Sequence, residues 1–166
     1  TISFGCEAGT KEELTRLNKG ITVEQIKEAV RLAKRAGIAA RTSWIFGFPW
    51  STSESAKSII QLIKEMLPDE VIIYTPVPYP GSRFYKSIGR FGLNHKTIDT
   101  SEFYSGRAYP LPIAHNMTAK VVQEILAQTV DDLITMGYKS LDVAQAGDRV
   151  VTTSFSPVRS FQSGFE

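Results

Sequence analysis

Glu70-Val71-Ile72-Ile73-Tyr74-Thr75 is a near-continuous apolar run, and Pro76-Val77-Pro78-Tyr79-Pro80-Gly81-Ser82 follows it at once. β-Branched and aromatic residues without polar alternation mark a strand covered on both faces, the kind that fills parallel sheets. The proline-rich stretch behind it can continue neither strand nor helix and reads as a loop. A parallel strand needs a long crossover before it, so the segments upstream decide the fold.

Those segments alternate. Ser51 and Glu54 have capping-box spacing, and the helix behind them carries Ile59, Ile60, Ile63 and Met66 until Pro68 ends it. Ile38 to Phe48 is β-rich, with Trp44-Ile45-Phe46 running into Gly47 and Pro49. Before it, Thr22 and Gln25 make a second capping box flanked by Ile21 and Ile26 as a hydrophobic staple. Val23, Ile26, Val30 and Ala33 form a helical stripe, and Gly37 is the expected stop. Thr10 and Glu13 cap a short helix through Leu17, and Ile2 to Gly5 is the first strand, ending at Gly5-Cys6-Glu7. Strand, helix, strand, helix, strand with short connections predicts parallel βαβ units.

Downstream, residues 83 to 115 hold short apolar pieces, Gly, Pro and both histidines, and read as mostly irregular. Met117 to Met136 is a helix with a broad apolar face that includes Val122, Leu126, Val130 and Leu133, and Gly137 follows it. From Leu141 the chain is polar and serine-rich, a surface tail ordered only where it docks. The organisation expected is therefore a domain over 1–140, with a variable region and helix in 87–140, and a tail over 141–166.

Composition narrows the function classes. With 42% apolar and 22% charged residues, the 166-residue chain has the profile of one globular domain. A net charge of +2 without a block of like charges offers no footprint for nucleic acid or an anionic membrane. No apolar run approaches the ~20 residues of a membrane span, and no signal-peptide pattern opens the chain. A single cysteine excludes an internal disulfide or a cysteine-ligated cluster within this sequence, and fits a reducing, cytoplasmic setting.

Gly5-Cys6-Glu7, Gly47-Phe48-Pro49-Trp50 and Thr75 to Ser82 all fall at C-terminal ends of the expected strands. In parallel sheets these ends share one edge, where ligands bind. Glycine and proline also punctuate strand ends that bind nothing, so position alone names no ligand.

The order and spacing of G-C-E-A-G at 5–9, the N-K-G-I-T helix start at 18–22, I-F-G-F-P at 45–49 and T-P-V-P-Y-P-G-S at 75–82 resemble the later half of a radical S-adenosylmethionine (SAM) barrel. The resemblance covers residues 1 to about 86 and implies an α/β fold, a partial (βα) TIM-type barrel of about three parallel strands with flanking helices and a C-terminal helix. The T-P-x-P-Y-P-G form is most similar to the subclass with an upstream cobalamin-binding domain, and within it to the anaerobic oxidative cyclases of magnesium-protoporphyrin IX monomethyl ester. The family implies a 4Fe-4S cluster held by a C-x-x-x-C-x-x-C loop, and SAM cleaved to a 5′-deoxyadenosyl radical that oxidises a small-molecule substrate, a porphyrin for the cyclases. Methyltransferases and methylthiotransferases share these strands. The chain lacks the cluster loop and opens at what would be the fourth barrel strand, so on this reading it is a fragment, inactive alone. Its open sheet face is expected to dimerise or to be covered by residues 83–166.

Site roles follow from the resemblance alone. Glu7 matches the acid that binds the SAM ribose or ammonium, and Lys19 the cation that pairs with the SAM carboxylate. Ser43 and Ile45 match the fifth-strand contacts, Gly47 a close backbone approach, and Tyr74, Thr75 and Pro76 the strand end along the adenine. The alternative for Glu7 is a strand-end carboxylate capping the helix at Thr10, and for Lys19 a solvated lysine before a helix. Trp50-Ser51 replaces the Gly-Glu of many relatives, leaving Ser51 as a helix cap. Cys6 reads as a small buried hydrophobe, Trp44 and Trp50 as one core and one rim residue, and His95 and His115 as surface or structural groups. Arg83, Tyr85 and Tyr104 stand near the sixth-strand loop. The competing class is a self-sufficient α/β domain that binds a phosphorylated ligand or a partner, which G-x-G-x-x-G or a Walker loop would have marked; neither occurs.

Overall fold

The computed structural model describes residues 1–94, 118–140 and 153–157. Strands β1 (Ile2–Glu7), β2 (Ala40–Ile45) and β3 (Glu70–Tyr74) run parallel and side by side in chain order. Helices α1 (Lys11–Arg16) and α2 (Val23–Arg35) cross from β1 to β2, and α3 (Ser53–Met66) crosses from β2 to β3. The α/β class and the parallel βαβ order are as the sequence predicts.

Local chemistry sets the helix limits. Thr22 and Gln25 exchange side-chain and backbone bonds in both directions, closing the capping box that opens α2. Lys34 of its last turn donates to the carbonyl of Leu67 at 2.6 Å and so satisfies an orphan acceptor at the end of α3. Two caps differ from the sequence reading. At α3 the cap is Thr52 with Ser55 as its reciprocal partner, not Ser51 with Glu54. At α1, Thr10 accepts from the Glu13 amide at 3.2 Å, but the Glu13 side chain turns into the protein instead of back to the cap.

Ala40, Thr42 and Trp44 of β2 and Val71 and Ile73 of β3 alternate toward the helices and are buried there against Val30, Ile59 and Ile63. Full burial of the valine and isoleucine side chains among them stabilises by about 1.5–3 kcal/mol each. Trp44 is a core residue, with its indole N–H satisfied by Thr42 Oγ1 at 3.1 Å. On the opposite face, Arg41, Ser43, Ile45, Glu70 and Ile72 are half-buried and Tyr74 is exposed.

The second half adds elements that the sequence hides. Arg83–Ser87 forms a short helix, α4, followed by a 3-10 turn over Ile88–Phe91, where an irregular run was expected. Helix α5 (Ala119–Thr135) lies close to its predicted span and sends Val122, Leu126 and Leu133 into the same core as α2 and α3. It therefore joins the helix layer and does not cover the opposite sheet face. Strands β4 (Tyr138–Ser140) and β5 (Thr153–Pro157) extend the sheet, with β5 antiparallel to β3 and β4 antiparallel to β5. The polar tail thus supplies a strand, held by backbone pairing that requires no apolar side chains. Tyr138 fixes β4 by donating to the Pro68 carbonyl at 2.6 Å.

Candidate functional site

The C-terminal ends of β1, β2 and β3 meet at one edge. At the end of β1 the register with β2 shifts between Gly5 and Glu7, a β-bulge. Glu7 sits at φ 68°, a left-handed conformation that costs a non-glycine residue about 1–2 kcal/mol. This turn folds its side chain back over the strand: a Cβ on Gly5 would stand 2.6 Å from Glu7 Oε1. Helix α1 ends in another left-handed residue, Asn18 at φ 53°, which returns the chain toward β1. Lys19 Nζ then donates to Glu7 Oε1 at 3.0 Å, over Gly5, with both side chains partly solvated.

Ser43 stands between Gly5 and Ile72 in the ladders, so it occupies the row over which the ion pair lies. Its hydroxyl donates to the Phe4 carbonyl at 3.4 Å. One step further along, Ile45 pairs with Tyr74, which is 38% exposed. Glu7, Lys19, Ser43, Ile45 and Tyr74 therefore gather on one face at one edge. Thr75 and Pro76 are buried, so their side chains face protein. Gly47 lies at φ 89°, and a Cβ there would meet both Val122 methyls at 3.0 Å. Helix α5 thus fills the space beside it.

Two features escaped sequence reasoning. Ser51 donates to Glu13 Oε1 at 2.6 Å, and both residues are buried, tying α1 to the loop after β2. The hydroxyl one residue before the true cap is the only trace of this in the sequence. Phe48 stacks on Trp50 with centroids 4.8 Å apart, and Phe84 and Phe91 close around them. This cluster joins the loop after β2 to α4. The Trp50 indole N–H is buried with no hydrogen-bond partner among the described residues. Arg83 is exposed and Tyr85 half-buried on α4, whereas His95, Tyr104 and His115 lie outside the described residues.

The cysteine takes no part in the charged site. Cys6 is 1% exposed, and burial first, with Glu7 second, pushes its thiol up to about 12. A neutral thiol is neither metal ligand nor nucleophile. Among the described residues no group of His, Cys, Asp and Glu could hold a metal ion. This chain's residues do not fit a 4Fe-4S cluster. Glu7 and Lys19 place one anionic and one cationic group side by side at the strand ends.

Curated relatives match about half of the chain. An uncharacterized methyltransferase of Pyrococcus horikoshii is 36% identical over 86 residues, which is 52% of this chain and 19% of that protein. Anaerobic magnesium-protoporphyrin IX monomethyl ester cyclase of Rubrivivax gelatinosus is 30% identical over 88 residues, 53% of this chain and 16% of the cyclase. Among solved structures, coproporphyrinogen III oxidase (HemN) of Escherichia coli, a radical SAM enzyme, superposes with a TM-score of 0.63. The chain resembles the radical SAM enzymes.

The structural match covers 93% of this chain and 29% of the oxidase at 17% identity, and concerns the fold. The chain spans under a fifth of the length of these two curated proteins. No protein-family model matches the chain. No described helix is long and apolar enough to cross a membrane. Radical SAM enzymes use SAM and a 4Fe-4S cluster at the family level.

Proposed function

We propose that this chain supplies the SAM-binding strand ends of a radical SAM oxidoreductase. The observation that carries the reading is the Glu7–Lys19 pair, held over Gly5 beside Ser43 on the less covered face of the parallel sheet. Glu7 would accept from the ribose hydroxyls or the ammonium, Lys19 would hold the carboxylate, and Ser43 would offer a hydroxyl. Ile45 would supply apolar contact, and Tyr74 with the backbone of Thr75 and Pro76 would border the adenine. Bound SAM would supply the 5′-deoxyadenosyl radical once reduced by a cluster carried elsewhere in the protein.

The cyclase similarity favours an oxidative reaction on a porphyrin such as magnesium-protoporphyrin IX monomethyl ester, with a cobalamin-binding region upstream. The methyltransferase similarity supports a second reading, transfer of a methyl group by the same strand ends. A full barrel, in the cytoplasm, would place the less covered face toward its lumen; alone, the chain would dimerise through that face. Calorimetric titration with SAM tests the site: wild-type chain should bind and Glu7→Ala should lose about tenfold or more, the worth of a charge-assisted bond. Undiminished binding by Glu7→Ala removes Glu7 from the site. Absence of C-x-x-x-C-x-x-C in the coding sequence upstream of Thr1 defeats the radical SAM reading.

A further inference from the structure

We infer that Gly5 is a positioning residue that sets where the Glu7 carboxylate stands; the consequence for ligand affinity rests on the SAM reading above. In regular strand geometry, residue 7 would present its side chain about 6.6 Å further along the sheet than residue 5. The bulge and the left-handed turn at Glu7 bring the carboxylate back onto the row of Gly5 and Ser43. That row can receive it only because residue 5 has no side chain. A Cβ there would stand 2.6 Å from Glu7 Oε1 and 3.1 Å from Lys19 Nζ, closer than van der Waals contact allows.

Two details separate this role from an ordinary requirement for glycine. Gly5 is absent from the positive-φ glycines, so alanine meets no backbone strain. The atoms it would strike are the far ends of two flexible side chains, which can swing aside while the sheet stays intact. Gly5→Ala should therefore fold and misplace the carboxylate. Gly9 is the contrast, since a Cβ there would meet the Ile59 backbone nitrogen at 2.6 Å.

The test is a four-member cycle of wild type, Gly5→Ala, Glu7→Ala and the double variant, each measured by thermal unfolding and by SAM calorimetry. Gly5→Ala should weaken SAM about tenfold, as expected when one charge-assisted bond is lost. Its Tm shift should be more favourable in the Glu7→Ala background, where no carboxylate opposes the new methyl group. Unchanged SAM affinity in Gly5→Ala overturns the inference. If the wild type fails to bind SAM, the SAM reading falls and the thermal cycle decides alone: unequal shifts uphold the positioning role, and equal shifts overturn it.

Discussion

Lys19 Nζ lies 3.0 Å from Glu7 Oε1, and the pair rests over a residue of β1 that has no side chain. The lysine is 31% and the glutamate 22% exposed, and ion pairs this solvated contribute about 0–1 kcal/mol. The strained backbone at Glu7 costs as much or more. The arrangement is therefore poorly explained by stability, and a charged ligand can take the pair apart at small cost.

That balance gives an ordering of variants. Glu7→Gly removes the left-handed strain that Glu7→Ala retains, so it should be the more stable of the two by about 1 kcal/mol in urea unfolding. Both should lose SAM affinity alike. An alanine variant more stable than the glycine one would show that residue 7 does not need its left-handed turn.

Ser51→Ala strips the buried Glu13 carboxylate of the donor at 2.6 Å. An abandoned buried acceptor costs about 1–3 kcal/mol, which a chemical denaturation midpoint would resolve. Thr52→Ala, one residue on, should cost about 1 kcal/mol as a lost helix cap. Equal stability of Ser51→Ala and wild type would place Ser51 at the surface.

Trp50→Phe keeps the ring on Phe48 and deletes an indole N–H that is buried without a partner among the described residues. Removing an unsatisfied donor offsets the lost packing area. The substitution should change stability by less than about 1 kcal/mol, against about 3–5 kcal/mol for Trp50→Ala if its packing is core-like. A large loss in Trp50→Phe would mean that the indole has a partner in solution.

Alkali should unfold the protein through two acids. Burial raises Tyr138 from 10 to about 12, with Asp69 adding to it, and raises Cys6 from 9 to about 12. The folded state holds these protons more tightly than the unfolded chain, so the stability they provide is whole below about pH 9. It falls as the pH climbs from 9 to 12. Cys6→Ala should delay the onset of this loss toward pH 10 in melts run across that range. The thiol should also resist alkylation at neutral pH until the protein unfolds.

Much of this was legible because it is written locally. Thr22 and Gln25 specify a cap within four residues of chain, and Gly-Pro breaks mark the strand ends where the charged site gathers. What stayed hidden depends on a choice between equivalent neighbours or on distant backbone. Ser51 and Thr52 are both hydroxyl residues with acceptable partners three positions on, and only the burial of Ser51 against Glu13 decides between them. Strand β5 is polar, and its pairing to β3 is made by main-chain groups that carry no sequence pattern. The bulge at Glu7 gave no warning either, since glutamate has no preference for positive φ.

The antiparallel seat of β5 against β3 sets an order of events during synthesis. β3 is complete once Tyr74 has left the ribosome, yet the strand that covers its outer side begins only at Thr153. At about 5–20 residues per second, the intervening chain takes several seconds to emerge. Through that interval the apolar strand offers unpaired amides and carbonyls to any neighbouring chain. A message cut short before residue 153 would make the exposure permanent, so loss of a polar C-terminal segment would show itself as aggregation.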